Sequence, residues 1–135
     1  MIKAFRKNEC KGKQMRRIKN NIIEICGADL EVVFSMEEEF ENGVFTIKLC
    51  GEIKNEVAYE FEDELLAVIL ACKKVELDFE NVSYVASMAL KTLLLAQQMI
   101  DERKNVSMTI TGVSDNVLKE FRKAGFMNLL EFRLT

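Results

Sequence analysis

Apolar residues recur along this chain with two spacings, and the two spacings alternate. Phe45, Ile47 and Leu49 are separated by polar residues, which is typical of a strand with one buried face. Further along, Val57, Phe61, Leu65, Val68 and Cys72 fall at helical intervals, with acidic residues mostly opposite them. Such strand and helix patterns continue to the end of the sequence, so they predict an α/β fold.

The order of these segments predicts a mixed β-sheet with amphipathic helices packed on it. Between the first two strands, Asn42-Gly43 tolerates the positive φ angles of a tight hairpin, which predicts an antiparallel pair. Strands that follow through helices are expected to pair in parallel. The predicted strands are Glu31–Phe40, Val44–Leu49, Lys74–Phe79, Val106–Thr111 and Leu129–Leu134. The predicted helices are Asn55–Ala71, Ser87 to about Asp101, and Asp115–Ala124, with Asn55 and Ser114 as capping residues.

A basic segment precedes this domain. Residues 1–20 contain eight Lys/Arg and one Glu (net +7), whereas residues 21–135 contain eleven Lys/Arg and twenty-one Asp/Glu (net −10). Met15, Ile18, Ile22 and Ile25 recur at helical spacing, which predicts a helix over Lys13–Cys26, although the run Ile22-Ile23-Glu24-Ile25 is also compatible with an extended segment. We divide the chain into a helical extension, residues 1–28, and a domain, residues 29–135. The basic charge has four explanations: a solvated tail, docking on the acidic domain, an acidic partner, or a nucleic acid or membrane surface.

Length and composition limit the functional classes. The 135 residues suit one domain, and 49% hydrophobic residues suffice for its core. The four cysteines form no CxxC pair and the chain has no His, so we expect no metal, no cofactor and a reducing, cytoplasmic location. We also expect neither a secretory signal nor a membrane-spanning segment. Without His the commonest general base is missing, which argues against an enzyme.

Four motifs in order resemble the STAS domain family, and bacterial anti-sigma-factor antagonists in particular. The main motif is the stretch 77–90, in which a strand ending at Asp78 is followed by an apolar run and then by Ser87-Met88-Ala89-Leu90 at a helix start. Supporting matches are Leu49-Cys50-Gly51-Glu52-Ile53, Thr111-Gly112-Val113-Ser114 and Gly125-Phe126. The resemblance covers roughly Val32–Leu134 and implies a protein-binding regulator rather than an enzyme.

The resemblance implies roles for individual residues. Ser87 falls on the serine that is phosphorylated in this family, Asp78 matches the strand-end Asp, and Ala89 replaces a Gly. Ala86 stands where the family has Asp, and Met88 stands where it has a second Ser or Thr. The implied partner is an anti-sigma factor or a related serine-kinase-like regulatory protein, and we do not expect nucleic acid. The implied contact residues are Tyr84, Val85, Ala86, Ser87, Met88 and Ala89.

Two interpretations of the site remain open at this level. Ser87 either acts only as a helix N-cap or serves as a phosphorylation switch, whose added charge would repel a partner. Asp78 either binds backbone N–H groups of the next loop, a structural role, or supports the site. Because Ala86 and Met88 depart from the family pattern, the alternative function is a STAS module that is not phosphorylated and acts as a constitutive binder or scaffold subunit.

Overall fold

The computed structural model describes residues 9–11 and 14–134 of the chain. In this part of the chain, eight strands and three helices form one α/β unit. The strands are β1 (Glu9–Lys11), β2 (Gln14–Lys19), β3 (Ile22–Cys26), β4 (Val32–Glu41), β5 (Val44–Ile53), β6 (Lys74–Val85), β7 (Ser107–Thr111) and β8 (Phe132–Arg133). The helices are α1 (Asn55–Ala71), α2 (Ser87–Asp101) and α3 (Asp115–Lys123).

The eight strands lie side by side in sequence order in a single mixed sheet. Neighbours from β1 to β5 pair antiparallel, and neighbours from β5 to β8 pair in parallel. The helices provide the crossovers between the parallel strands, as parallel pairing requires. The predicted mixed sheet with packed helices is therefore confirmed.

The core lies between the helices and one face of the sheet. In β5, Phe45, Ile47 and Leu49 are buried while Lys48 and Cys50 are exposed. Aromatic contacts join the buried face to the helices: Phe34 of β4 meets Phe61 of α1, and Phe79 of β6 meets Phe121 of α3, both edge to face. The opposite face carries half-buried and exposed polar residues, as in an antiparallel sheet with one side in water.

The hairpin between β4 and β5 forms where Asn42-Gly43 predicts it. Asn42 and Gly43 adopt φ angles of 54° and 80°, the left-handed conformation that a tight hairpin turn requires. Outside this turn, several predicted strand boundaries move. β5 continues to Ile53 instead of ending at Leu49. β6 continues to Val85 because Tyr84 and Val85 pair with Glu52 and Ile53 of β5. The last strand, in contrast, is limited to Phe132–Arg133.

The predicted helix over Lys13–Cys26 is wrong, because residues 14–19 and 22–26 form the strands β2 and β3. The turn between them uses Asn20, whose φ angle is 54°. Ile23 and Ile25 are fully buried against β4, where they pair with Met36 and Phe34. β-Branched residues suit this pleated, buried surface, and the long-range pairing overrides the helical spacing. The rest of the basic segment, residues 1–8 and 12–13, lies outside the described residues, and the boundary between 1–28 and 29–135 stays a prediction.

The β2–β3 hairpin is also joined to α1 by buried charges. Arg16 is 3% exposed, and its guanidinium lies 3.1 Å from the Glu60 carboxylate and 3.4 Å from the Glu64 carboxylate. Glu60 and Glu64 are one turn apart on α1 and are buried as well. Strand β2, which is the described C-terminal part of the basic segment, is therefore held against α1 through Arg16.

Candidate functional site

The residues of the predicted site meet where β6 ends and α2 begins. The N–H of Ala86 donates to the carbonyl of Ile53 at 2.9 Å, so the parallel pairing of β5 and β6 continues up to this residue. Ala86 then occupies the N-cap position of α2, and Ser87 is the first helical residue. The predicted N-cap role of Ser87 is therefore wrong, because the strand pairing starts the helix one residue earlier.

The six predicted contact residues divide into buried and accessible side chains. Val85 and Ala86 are 3% and 4% exposed, and Ala89 is completely buried, so these three belong to the core. Tyr84 is 46% exposed, Ser87 is exposed and Met88 is half-buried. Only these last three side chains of the six can contact a partner directly.

The neighbouring helix α1 supplies Asn55 to the site. Asn55, the first residue of α1, accepts the N–H of Met88 through its side-chain oxygen at 3.3 Å. The sequence predicts that Asn55 caps its own helix, but Lys54 occupies that N-cap position, and Asn55 instead satisfies a free N–H at the start of α2. Nothing in the sequence predicts this contact, because the two residues are 33 positions apart.

A shallow groove between α1 and α2 begins beside Met88. Tyr59 and Glu62 of α1 line one side, and Lys91 and Thr92 of α2 line the other. The Thr92 hydroxyl donates to the Met88 carbonyl at 3.1 Å and lies 3.4 Å from the Glu62 carboxylate, which ties the two helices together. Tyr59 is 61% exposed. We call the surface formed by Tyr59, Tyr84, Ser87, Met88 and Lys91 the α2 entrance surface.

The start of α2 has an electrostatic preference for negative charge. Its first turn, Ser87-Met88-Ala89-Leu90, contains no charged residue, and the methyl side chain of Ala86 cannot accept a hydrogen bond. The N-terminal N–H groups and the helix dipole therefore favour an anion at Ser87. In contrast, Ser114 caps α3 as predicted, since its side-chain oxygen accepts the N–H of Val117 at 3.3 Å.

Asp78 lies on β6, well before the start of α2. Its carboxylate accepts the N–H of Glu80 at 2.9 Å, which is the structural contact considered for a strand-end Asp. Gly112 leaves room for this contact, because a Cβ atom there would lie 3.0 Å from the same carboxylate oxygen. Asp78 therefore binds the backbone of its own strand, β6, through this hydrogen bond.

Cys72 lies at the C-terminal end of α1, whereas the α2 entrance surface adjoins the N-terminal end of that helix. Burial raises the pKa of the Cys72 thiol, and the negative charge of Glu38 raises it further. The thiol is thus kept protonated and weakly nucleophilic.

Within the described residues, no helix is long and apolar enough to cross a membrane.

Comparisons with known proteins agree with this architecture. The family model described as STAS domain matches residues 35–135. Among curated protein sequences, none matches the chain. Solved structures with the same fold include an anti-sigma factor antagonist from Mycobacterium paratuberculosis, with a TM-score of 0.67 and 18% identity over 73% of this chain and 84% of that one.

Two further solved structures share the fold. The Bacillus cell fate determinant SpoIIAA, in its phosphorylated form, has a TM-score of 0.57 and 16% identity over 73% of this chain and 90% of that one. A sulfate transporter family protein from Wolinella succinogenes has a TM-score of 0.57 and 19% identity over 70% of this chain and 80% of that one. At these identities the structures establish the fold, and the family model spans more than half of the sequence. The chain therefore belongs to the STAS domain family.

Proposed function

We propose that this chain is a non-enzymatic regulatory module that acts in the cytoplasm like an anti-sigma-factor antagonist. Its partner is an anti-sigma factor or a related serine-kinase-like protein, which binds the α2 entrance surface and phosphorylates Ser87. One observation carries this proposal: the exposed Ser87 lies at a helix start between the accessible side chains of Tyr84 and Met88.

The composition of the α2 entrance surface suits protein binding. Tyr59 and Tyr84 are large, largely exposed aromatic residues, and Met88 is an adaptable apolar residue beside them. Tyrosine and methionine are enriched in protein interfaces, where they bury large areas around a few strong contacts. With no His in the sequence, Ser87 lacks the usual base that would make it a catalytic nucleophile.

A phosphate on Ser87 would act on the partner more than on the fold. It adds about 1.5 to 2 negative charges at pH 7 and would lie at the positive end of the α2 dipole. The uncharged first turn of α2 offers no carboxylate to repel it. A partner packed against Tyr84 and Met88 would lose contact or meet new charge, so phosphorylation would release it. The solved SpoIIAA structure in its phosphorylated form shows that a protein of the same fold can carry a phosphate.

Ala86 favours a second function, in which the module binds constitutively and is not phosphorylated. The position before Ser87 carries a buried methyl group, 4% exposed, instead of the carboxylate found there in the family pattern. A kinase that needs this carboxylate would not modify Ser87, although the rest of the α2 entrance surface would still bind. In this form the chain would serve as a permanent binder or scaffold subunit.

The first test is capture of the partner from the native cytosol on the immobilised full-length chain. Met88→Asp is compared with Leu70→Asp, which places the same charge on an exposed apolar residue at the far end of α1. We expect the unchanged chain and Leu70→Asp to retain the same serine-kinase-like protein, identified by mass spectrometry, and Met88→Asp to lose it. Equal retention by both variants would exclude the α2 entrance surface as the binding site.

The second test separates the switch from the constitutive binder. The captured protein is purified and incubated with ATP and the chain, and phosphopeptides are mapped. Ser87→Ala is compared with Ser83→Ala, which removes an exposed hydroxyl four residues earlier. Phosphate that disappears only in Ser87→Ala supports the switch, and stable binding with no phosphate on Ser87 supports the constitutive binder.

A further inference from the structure

We propose that the segment 27–33, which comprises the connection between β3 and β4 and the first two residues of β4 and is called the loop below, forms a second part of the partner-binding surface. It would receive a segment of the partner that combines apolar and basic side chains. This inference rests on the proposed function and adds a determinant of partner specificity to it. The loop precedes residue 35, where the match to the family model begins, so it is a feature of this chain rather than of the matched domain.

The loop exposes an unusual amount of aliphatic surface. Leu30, Val32 and Val33 are 60%, 45% and 37% exposed, although they lie within four consecutive residues. An open groove of about 450 Å³ has Val32 and Val33 on its aliphatic side and the buried Val57 among its other lining residues. Leu30 is not part of this lining but directly precedes Glu31, which is, so its exposed side chain stands at the rim of the groove. Clustered aliphatic exposure beside a groove is typical of an interaction site.

The loop is held in one conformation. The N–H of Gly27 donates to the Glu31 carbonyl at 2.9 Å, and the N–H of Leu30 donates to the Gly27 carbonyl at 3.0 Å. Leu30 has a φ angle of 63°, a left-handed conformation that is costly for a bulky residue and directs an apolar side chain into solvent. A preorganised loop loses little conformational entropy when a partner binds.

Gly51 fixes the position of the loop against β5. A Cβ atom at Gly51 would lie 2.7 Å from the Val33 carbonyl oxygen, so only glycine permits this close approach of the two backbones. Its φ angle of 114° is likewise suited to glycine. The aliphatic loop and the strand that leads to α1 are therefore packed as one rigid border of the groove.

The charges that line the groove favour a cationic ligand. Three acidic residues, Glu31, Glu52 and Glu56, line the groove, together with one basic residue, Lys54. Lys54 is already engaged, since its Nζ atom lies 3.2 Å from the Glu52 carboxylate. A partner segment with Arg or Lys next to a Leu-like residue would match both the charge and the aliphatic wall.

The groove is continuous with the α2 entrance surface. Glu52, Lys54 and Glu56 also line the neighbouring cleft, whose other side is formed by Tyr84 and Ala86. One partner can therefore cover Ser87, Tyr84 and the loop together. If phosphorylation of Ser87 weakened the contact with the α2 entrance surface, the contact with the loop would remain. The loop would therefore distinguish the correct partner from other proteins.

The test uses the ¹⁵N-labelled full-length chain and the peptide acetyl-Gly-Arg-Leu-Arg-Leu-Gly-amide. Its controls replace both arginines by glutamate or both leucines by serine. We expect the first peptide to shift the amide signals of residues 27–33 and 52–57, and both controls to leave them in place. Leu30→Asn should weaken peptide binding at least about tenfold. Asparagine accepts a positive φ angle, so this variant removes the aliphatic side chain without straining the loop.

The partner captured through the α2 entrance surface gives the second measurement. We expect Leu30→Asn and Glu31→Lys to weaken its binding. If Met88→Asp abolishes binding while both loop variants keep full affinity, this inference is overturned and the proposed function stands. If Met88→Asp itself has no effect, the proposed function fails.

Two results would assign the groove to another occupant and overturn the inference. In a full-length variant with Lys3, Arg6 and Lys7 replaced by Gln, altered loop signals would identify the chain's own N-terminus as the ligand. Loop signals that shift with protein concentration would identify a second copy of the chain.

Discussion

Two regions next to α1 differ in their access to water. One is the Arg16 junction, which consists of Arg16, Glu60 and Glu64, and the other is the start of α2, where Asn55 adjoins the α2 entrance surface. At the junction, the Arg16 guanidinium binds the carboxylates of Glu60 and Glu64, and all three side chains are almost completely removed from solvent. At the start of α2, Ser87 is exposed, and the side chain of Asn55 binds a backbone N–H group. A buried charge needs its partners to remain in place, whereas an exposed polar group remains available to a ligand. The first cluster is therefore structural, and the second is suited to binding.

The largest expected effect comes from breaking the junction with Arg16→Met. This variant removes the Arg16 guanidinium from the buried carboxylates of Glu60 and Glu64, so we expect the free energy of unfolding to fall by about 3–5 kcal/mol. Arg17→Met is the matched control, because Arg17 is the next residue of β2, is 38% exposed and pairs with Glu24. Its expected cost is much smaller, because an exposed ion pair contributes little to stability. Urea unfolding of both variants measures the difference, and equal losses would contradict the structural role of the junction.

A smaller effect is expected at the two serines that begin helices. Ser114→Ala removes the side-chain acceptor that caps α3, so we expect a loss of about 0.5–2 kcal/mol. Ser87→Ala should change stability by less than about 0.5 kcal/mol, because Ser87 follows the N-cap residue and is exposed. Chemical denaturation compares the two variants. A larger loss for Ser87→Ala would mean that its hydroxyl supports the helix after all.

Asn55→Ala tests the cap that α2 receives from its neighbour. The hydrogen bond to the Met88 N–H is long, at 3.3 Å, and exposed to water, which can replace it. We therefore expect a loss of about 0.5 kcal/mol, at the lower end of the range for capping residues. Amide hydrogen exchange at Met88 should become faster in Asn55→Ala and remain slow in Asn55→Asp, which keeps an acceptor. Unchanged exchange in both would exclude the cap.

The domain beyond residue 31 was largely predictable because its patterns are local. The Asn42-Gly43 turn, the helical stripe of α1 and the Ser114 cap each depend on neighbours in sequence, and all three form as predicted. The STAS resemblance rested on motifs within this same region. Strand ends were less predictable, because the extension of β6 to Val85 depends on pairing with β5.

The N-terminal hairpin was not predicted, because its stability depends on distant residues. Arg16 meets Glu60 and Glu64 across 44 and 48 positions of sequence, and such contacts leave no local pattern. The β-branched run Ile22-Ile23-Glu24-Ile25 after Asn20-Asn21 was the available signal for a strand and a turn. The sequence likewise did not show which residues of the site are accessible, because the burial of Val85, Ala86 and Ala89 depends on how α2 packs.

The smallest effect is expected for Ser87→Asp, which asks whether charge at the α2 entrance surface disturbs the fold. Aspartate places a negative charge in the first turn of α2, where the helix dipole and free N–H groups favour it. We expect a gain of only about 0.3 kcal/mol at low ionic strength, because Ser87 is exposed, and a loss of similar size for Ser87→Lys. Both changes should shrink in high salt, because exposed charges are screened. Thermal melts at two salt concentrations measure this. If Ser87→Asp is instead clearly less stable than Ser87→Ala, the start of α2 does not accept an anion, and a phosphate there would act through the fold rather than through the partner.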